Sequence, residues 1–307
     1  MRNVLILIAM VAALLLPSST AVAQQQPVVQ WQANLGRPNA NETGTEIVVD
    51  PYGNMLVVGY SDDSLQQQGD LITIWKYNPN RELVYEKQYQ LPGYPHCELQ
   101  IGDTIFIFAH SPHSLSDDVL VLAFSQQRGE TLWTGYFGDS LSYEIPKSAC
   151  FLDSETILIT YEYGLYENQR IGLMAIGLDG ALFWKRTYDI WNIARPVEVL
   201  PRGDGTYWIV ANTDDRGDMD IAALVVSGCG ELLSIYCFGS DSLDQANGAF
   251  IDGWCNLVIL GCTADNNVDP TFWVINPSGQ LVYQERISYM TEGAFTDGHV
   301  GDALLVD

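Results

Sequence analysis

The stretch DPYGNMLVVG at residues 50–59 returns almost unchanged as DGWCNLVILG at residues 252–261. In both copies, Asp, Gly and Asn residues precede a short apolar run that ends in glycine. Turn residues followed by a run of β-branched and aliphatic residues are typical of a hairpin that leads into a buried strand. Two copies so far apart indicate an internally repeated, all-β chain.

The repeat keeps a constant step along the chain. The apolar runs end at positions separated by 50, 51, 51 and 50 residues, namely Gly59, Ala109, Thr160, Ala211 and Gly261. A second marker, the mostly aromatic position after the next turn, recurs at steps of 48, 51, 50 and 49, at Tyr85, Trp133, Trp184, Ser234 and Tyr283. Two independent markers with one period over five units predict a repeat architecture.

Each unit has the texture of four short strands separated by Gly, Asn, Asp and Pro turns. The second strand is apolar on both faces, so both faces must be covered by neighbouring sheets. Stacked four-stranded sheets are the blades of a β-propeller. We therefore predict an all-β propeller with five full four-stranded blades, in units of roughly 45–95, 96–146, 147–196, 197–246 and 247–293.

The two ends of the chain predict a partial sixth blade. Residues 294–307 supply two strands, and residues 28–36 match the outer strand of a unit, which would close the ring. The alternative is that the chain is a fragment of a larger ring.

Residues 213–265 and the segment GDLITIWKYNPNRELVYEKQY at 69–89 follow a recognisable frame of G-D, K, W and D-x-x-G-N positions. This frame resembles the secreted bacterial β-propeller repeat proteins, over nearly the whole of residues 24–307. The resemblance implies the propeller fold and an exported or surface architecture, without an assigned chemistry. The second and third units lack the G-N pair, so their first hairpins are expected to differ in shape.

The N-terminus has the pattern of a signal peptide. Arg2 precedes an apolar run at residues 4–16, and Ala21-Val22-Ala23 provides the small residues of a cleavage site. The run is shorter than the roughly 20 residues that span a bilayer. We predict that residues 1–23 are removed and that residues 24–307 form a single propeller domain, exported to the periplasm, the outer surface or the medium.

The chain carries 14 basic and 38 acidic residues, a formal net charge of −24. Such a field disfavours nucleic acid and anionic lipid, and favours cations or basic partners. Many of the acids fall in loops that a propeller places on one face, and clustered Asp oxygens can coordinate calcium. The predicted calcium-binding or partner-binding residues are Asp62, Asp63, Asp214, Asp215, Asp218, Asp220, Asp265 and Asp269. Surface charge that only maintains solubility is the alternative.

The third unit replaces these acids with tyrosines. Tyr161, Tyr163 and Tyr166 are predicted to stack on a sugar, or else to pack at the rim. Of four scattered histidines, His110 and His113 are the pair predicted to be neighbours, although H-x-x-H alone does not define a zinc site. Six cysteines leave up to three disulfides and free thiols equally open.

No catalytic motif is recognisable. The sequence therefore favours a monomeric, non-enzymatic binding or interaction module at the cell envelope, with the acidic loop face contacting a protein or carbohydrate. No nucleic acid and no membrane span are expected, and calcium is the only cofactor indicated. The alternative is a hydrolase or lyase acting on polysaccharide from the central funnel, which would need convergent carboxylates with perturbed pKa values. A structural spacer is a third option.

Overall fold

The computed structural model of the chain describes residues 40–50, 52–63, 70–112, 116–139, 142–165, 168–214, 219–264 and 268–287. Twenty strands lie within these residues and form five antiparallel sheets of four strands each, with the strands in chain order across each sheet. This confirms the all-β prediction and its five four-stranded, propeller-like sheets. The signal peptide, the N-terminal strand and the partial sixth unit lie outside the described residues and stay predictions.

The strand bounds follow the repeat. The first sheet contains β1 (Ala40–Val49), β2 (Met55–Asp63), β3 (Asp70–Tyr77) and β4 (Leu83–Pro92). The second contains β5 (Tyr94–Ile101), β6 (Thr104–Pro112), β7 (Asp117–Ser125) and β8 (Glu130–Phe137). The third contains β9 (Glu144–Phe151), β10 (Thr156–Tyr163), β11 (Arg170–Gly177) and β12 (Leu182–Tyr188). The fourth contains β13 (Ala194–Pro201), β14 (Thr206–Thr213), β15 (Asp220–Ser227) and β16 (Leu232–Phe238). The fifth contains β17 (Leu243–Ile251), β18 (Leu257–Ala264), β19 (Val268–Ile275) and β20 (Leu281–Arg286). Each sheet begins a few residues before the predicted unit.

The repeated stretch builds the same hairpin twice. The carboxylate of Asp50 accepts hydrogen bonds from the backbone N–H groups of Tyr52 (2.9 Å) and Asn54 (2.8 Å) and from the Asn54 side chain (2.6 Å). Asp252 makes the equivalent three bonds with Trp254 and Asn256. The Asp and Asn of the pattern are therefore turn-forming residues.

The glycine that ends each of these two apolar runs is required by a close backbone approach. A Cβ at Gly59 would collide with the carbonyl oxygen of Thr43, and one at Gly261 would collide with that of Gln245. The first and second strands of these sheets can pair closely only because no side chain stands there.

The contacts divide the chain into two units, Gly36–Asp241 and the remainder, which includes the residues from Ser242 onward. The first unit holds the first four sheets. In it, β1 contacts β5, β5 contacts β9 and β9 contacts β13, so the first strands of successive sheets adjoin. The prediction of a single domain over residues 24–307 stays a prediction.

Three apolar clusters fill the spaces between these four sheets. The first boundary, between the first and second sheets, includes Leu56, Ile72 and Ile105. The second boundary, between the second and third sheets, includes Phe106 and Ile159, and a third cluster joins the third and fourth sheets. The second strands are buried along most of their length, as their two-faced apolar pattern predicts.

Two fourth-strand positions, the aromatic marker and the residue four positions after it, link each of the first three sheets to the next. The side chain of a fourth-strand aromatic donates a hydrogen bond to a carbonyl in the hairpin between the third and fourth strands of the following sheet. The bonds run from Tyr85 to Gln126 (3.0 Å), from Tyr89 to Gly129 (2.9 Å), from Trp133 to Leu178 (2.8 Å) and from Tyr188 to Gly230 (2.8 Å). The corresponding fourth-sheet positions are Ser234 and Phe238.

The fifth sheet, in the other unit, has its own polar contacts. Asp269, which is nearly buried, accepts from Arg286 at 2.7 Å, and the hydroxyl of Thr263 donates to the buried Asp244. Trp273, Leu257 and Ile275 are buried in this sheet.

No helix in the described part of the chain is long and apolar enough to cross a membrane.

Candidate functional site

Each first strand contains a β-bulge at the same repeat position. In β5, Pro95 pairs with Ala109 and Cys97 pairs with Phe108, so His96 is left out of the ladder. The equivalent residues are Thr45, Lys147, Val197 and Asn247. Bulges re-aim a side chain, and they are frequent next to active sites.

The bulged His96 meets a histidine of the next strand. Its Nε2 lies 2.6 Å from Nδ1 of His110 on β6, so the two imidazoles share a hydrogen bond. Tyr94 stacks on His110 with ring centroids 4.8 Å apart and an interplanar angle of 22°. Tyr60, from the first sheet, meets Tyr94 edge-on at 4.9 Å.

The pKa values of these groups are displaced from their ordinary ranges. Burial lowers the pKa of His96 to about 3, and the charges of His110 and Lys147 act in the same direction. Burial also lowers the pKa of His110, against the opposing effect of Asp117. Both imidazoles are therefore neutral at pH 7, and each has one protonated and one unprotonated ring nitrogen.

Tyr94 is fixed by a carboxylate. Its hydroxyl is hydrogen-bonded to Asp70, and this bond, together with burial, raises the pKa of Tyr94 to about 12. The phenol therefore stays protonated at neutral pH. Since Tyr94 also stacks on His110, Asp70 holds the ring that orients the histidine.

These side chains open onto a cleft of about 530 Å³ at the first boundary. Its lining residues are Thr45, Glu46, Tyr60, Tyr94, Pro95, His96 and His110. The volume is in the usual range of small-molecule sites, and aromatic walls with a few polar groups are typical of them. A sugar ring could stack on the tyrosines while its polar groups meet the imidazoles and Glu46.

The histidine pair can move a proton in a concerted way. In a neutral hydrogen-bonded pair, one imidazole donates and the other accepts. Consequently one outer nitrogen carries a lone pair and the other outer nitrogen carries a proton. If the first accepts a proton from a substrate, the inner proton can shift and the second can donate. The arrangement is thus capable of general acid and general base catalysis at one place.

The predicted aspartates that the structure describes have different surroundings. Asp220 is 1% exposed and Asp269 is ion-paired with Arg286. Asp214 accepts from the backbone of Ile193 at 3.0 Å, and it borders a smaller pocket of about 270 Å³ with Asp189 and Trp191. Asp62 and Asp63 end β2, whereas Asp215, Asp218 and Asp265 lie outside the described residues.

No group of three or more His, Cys, Asp or Glu side chains in the described ranges is arranged to hold a metal ion. Calcium binding by the acidic loops stays a prediction, because several of its residues are outside those ranges. None of the six cysteines, all of which lie within the described residues, forms a disulfide in this structure.

The predicted tyrosines do not form one sugar platform. Tyr161 is completely buried, and its hydroxyl has no hydrogen-bond partner among the described residues, so it offers no face to a ligand. Packing, the alternative that the sequence allowed, agrees with this position. Tyr163 is partly buried, and Tyr166 lies outside the described residues.

Tyr161 instead belongs to a buried polar cluster at the second boundary. Glu144 is 0% exposed and accepts two hydrogen bonds from Nζ of Lys185, at 2.8 and 2.9 Å. The Lys185 ammonium also lies 5.5 Å from the centroid of the Tyr161 ring and 3.8 Å from Asp139. Burial raises the pKa of Glu144 to about 7, although Lys185 opposes the shift.

The functional histidines were not predicted as a pair. The sequence favoured His110 with His113, but the neighbour of His110 is His96, and His113 lies outside the described residues. A usable signal existed: His110 directly follows the marker residue Ala109, at the position that Tyr60 holds in the first unit. The bulge that turns His96 toward it has no signature in a single sequence.

The fold and the site together define a class: an all-β, propeller-like protein with an aromatic-lined cleft that contains a hydrogen-bonded histidine pair. No family model matches the chain, and no curated protein sequence matches it. Among solved structures, the chain is similar to a polysaccharide lyase, an ulvan lyase of family PL25, with a TM-score of 0.56 and 9% identity over 83% of this chain and 72% of the lyase. It is also similar to the lignostilbene dioxygenase of Pseudomonas brassicacearum, with a TM-score of 0.51 and 11% identity over 81% of this chain and 64% of that one. At these identities the likeness concerns the fold alone.

Proposed function

We propose that the chain is a polysaccharide lyase that cleaves uronate-containing chains in the cleft at the first boundary. The observation that carries this proposal is the neutral, hydrogen-bonded pair of His96 and His110, which opens onto an aromatic cleft. The similarity in fold to a solved polysaccharide lyase agrees with it. This is the enzymatic alternative that the sequence left open, restricted to one reaction class.

The lining of the cleft favours elimination over hydrolysis. Glycoside hydrolases use a pair of carboxyl groups on either side of the scissile bond, about 5 to 10 Å apart. Among the described residues that line this cleft, Glu46 is the only carboxylate. Elimination instead needs a general base and a general acid, and the unprotonated and protonated outer nitrogens of the histidine pair can provide both.

The reaction is written with the groups present. The outer nitrogen of one imidazole accepts the C5 proton, which is acidic because a carboxylate is attached to the same carbon. The electron pair forms the C4–C5 double bond, and the C4–O bond to the leaving sugar breaks. The outer N–H of the other imidazole protonates the leaving oxygen. The positive charge of Lys147, which acts on both histidines, offsets the negative charge that develops on the carboxylate.

The expectation of a non-enzymatic binding module receives no support from the comparisons. The acidic loop face as a contact surface, export through residues 1–23 and the monomeric state remain predictions from the sequence. We retain carbohydrate as the partner class, because the cleft has the aromatic and polar lining that sugars require.

The test is incubation of the purified protein with polygalacturonate and alginate, followed by ultraviolet absorbance of the unsaturated product. We expect turnover that persists below pH 6.5, the ordinary pKa of histidine, because the pair stays neutral there. His110→Ala should lower kcat/KM by about 10² to 10⁴. The control is Tyr161→Phe, a buried aromatic residue on the second strand of the third sheet that does not line the cleft, which should leave turnover unchanged.

Three outcomes would contradict the proposal. New reducing ends without absorbance would indicate a hydrolase. Binding without any product would restore the binding-module interpretation. Equal turnover by His110→Ala and the unchanged protein would remove the histidine pair from the chemistry.

A further inference from the structure

Two basic residues lie on the first strands of the third and fourth sheets, which follow the cleft along the chain of sheets. The chain has 14 basic residues against 38 acidic ones, so a cation near the first strands is informative. Lys147 is the bulged residue of β9, and Arg195 lies near the start of β13. Because β5, β9 and β13 adjoin in that order, Lys147 lies on the first strand next to the one that carries His96, and Arg195 lies one strand further along.

A continuous polar network joins the two cations. Nζ of Lys147 lies 3.1 Å from Glu162, and the side-chain amide of Gln169 donates to the same carboxylate at 3.0 Å. Nε of Arg195 donates to the carbonyl oxygen of the Gln169 side chain at 2.5 Å. Gln169 is nearly buried, and its hydrogen bonds hold Glu162 and Arg195 in place. We call Lys147, Glu162, Gln169 and Arg195 together the row.

The row continues from the histidine cleft. Lys147 lies on β9, which adjoins the strand of His96, and its charge lowers the pKa of His96 and of His110. Lys147 also occupies the same bulge position as His96, one repeat later. The cleft, Lys147 and Arg195 thus lie on the first three successive sheet-to-sheet junctions.

We infer that this row is the substrate track, with Lys147 and Arg195 as specificity-determining residues that bind carboxylates of a uronate chain. The inference rests on the proposed function, since it assigns the units beyond the reacting one. Lys147 serves the unit in the cleft, and the guanidinium fork of Arg195 accepts the carboxylate of a unit further along. Glu162 and Gln169 hold the cations in place until the substrate carboxylates arrive.

The probe is a series of oligogalacturonates of increasing length, with their methyl esters as neutral counterparts. Binding is measured by calorimetry at low salt, with His110→Ala as the background, so that no turnover intervenes. We expect the acid forms to bind more tightly than the esters and to gain affinity with length. Arg195→Gln should weaken binding of the longer acids about tenfold, as for one lost charge-assisted hydrogen bond, and should leave the shortest unchanged.

The matched control is Arg202→Gln, which removes the same charge just beyond the other end of β13, where Arg202 lies over the Trp208 ring at 4.6 Å. Thermal melts of all variants show whether they remain folded. Equal effects of Arg195→Gln and Arg202→Gln, or equal binding of acids and esters, would overturn the inference, as would no binding of the acids.

The two proposals fail separately. Arg195-dependent binding by a chain that yields no unsaturated product would leave the track and remove the lyase. Product formation with the same length dependence in Arg195→Gln would leave the lyase and remove the track.

Discussion

The first and second boundaries are built on one repeat frame but use it in opposite ways. His96 and Lys147 occupy the same position in consecutive units, as do His110 and Glu162. At the first boundary, the two histidines are half-buried and open onto a cleft. At the second, Tyr161 is sealed over a buried ion pair of Glu144 and Lys185.

A single substitution pattern explains much of this contrast. The repeat position that holds Gly93 in the second sheet holds Glu144 in the third. Glycine leaves the start of β5 without a side chain, whereas the carboxylate of Glu144 draws Lys185 inward. The same backbone therefore produces a cleft in one place and a closed polar core in the other.

The largest effect is expected from breaking the ion pair at the second boundary. Lys185→Met leaves the buried Glu144 carboxylate without its partner, and such a loss costs about 3 to 5 kcal/mol. Urea unfolding at pH 8 measures it. The loss should shrink at pH 5, where Glu144 is protonated, and the double variant Glu144→Gln/Lys185→Met should recover most of it. A loss below about 1 kcal/mol would show that the pair is not sealed.

Packing at the second boundary gives the next effect. A Cβ at Gly172 would overlap the ring of Tyr161, so Gly172→Ala forces the ring to move, at a cost of about 1 to 3 kcal/mol. At the first boundary, a Cβ at Gly93 would lie 3.1 Å from Leu120, and Gly93→Ala should cost less. Thermal unfolding of both variants compares the two. A larger loss for Gly93→Ala would reverse our account of which boundary is closed.

The contributions of His96 at the first boundary and Glu144 at the second boundary to the free energy of unfolding should change with pH in opposite directions. His96 has a pKa of about 3 in the folded chain against an ordinary 6.5, so between these values the unfolded chain binds the extra proton. Stability is then lost as pH falls, by about 1.4 kcal/mol per unit. Glu144 has a raised pKa of about 7, so its folded form binds the extra proton and stability is lost as pH rises toward 7.

Denaturant midpoints between pH 5 and 7 test these signs by difference. Relative to the unchanged chain, His96→Asn should remove a positive slope of stability against pH, and Glu144→Gln should remove a negative one. Slopes of the same sign would mean that the two boundaries do not differ in this respect.

The smallest effect is expected from the side-chain hydrogen bonds that link neighbouring sheets at both boundaries. Tyr89→Phe removes one buried hydrogen bond to Gly129 at the first boundary and should cost about 1 kcal/mol. Trp133→Phe removes the bond to Leu178 at the second and should cost that amount plus some lost apolar contact. Chemical denaturation distinguishes these losses from zero. A silent Tyr89→Phe would show that the links contribute little.

The sheets could be predicted from the sequence because their signals are local. The apolar run before Gly59 and the turn at Asp50 recur at a constant step, and period and turn chemistry define strands without reference to distant residues. The site could not, because it depends on pairing. Pro95 opposes Ala109 and Cys97 opposes Phe108, so the bulge at His96 exists only in the register of two strands.

The sequence alone also did not show which of the aromatic side chains would be buried. The sequence alignment places Tyr161 and His110 directly after the same apolar run, and both are aromatic groups that can contact a sugar. In the strand register, however, Tyr161 pairs with Pro146 as Ala109 pairs with Pro95, so Tyr161 lies on the strand face opposite to the one that His110 uses. A prediction from residue types alone therefore chose the tyrosine.

In each first strand the paired residues form the sheet, whereas the single bulged residue differs from one unit to the next. Thr45, His96, Lys147 and Val197 differ in size, charge and reactivity, yet none of them belongs to the cross-strand register. A substitution there changes none of the residues that pair across the two strands. Each of these four neighbouring first strands therefore has one bulge position at which the residue type varies, and these positions are about fifty residues apart in the sequence. The substitution Val197→His at the β13 bulge would therefore be a way to add a second acid–base group to the same fold.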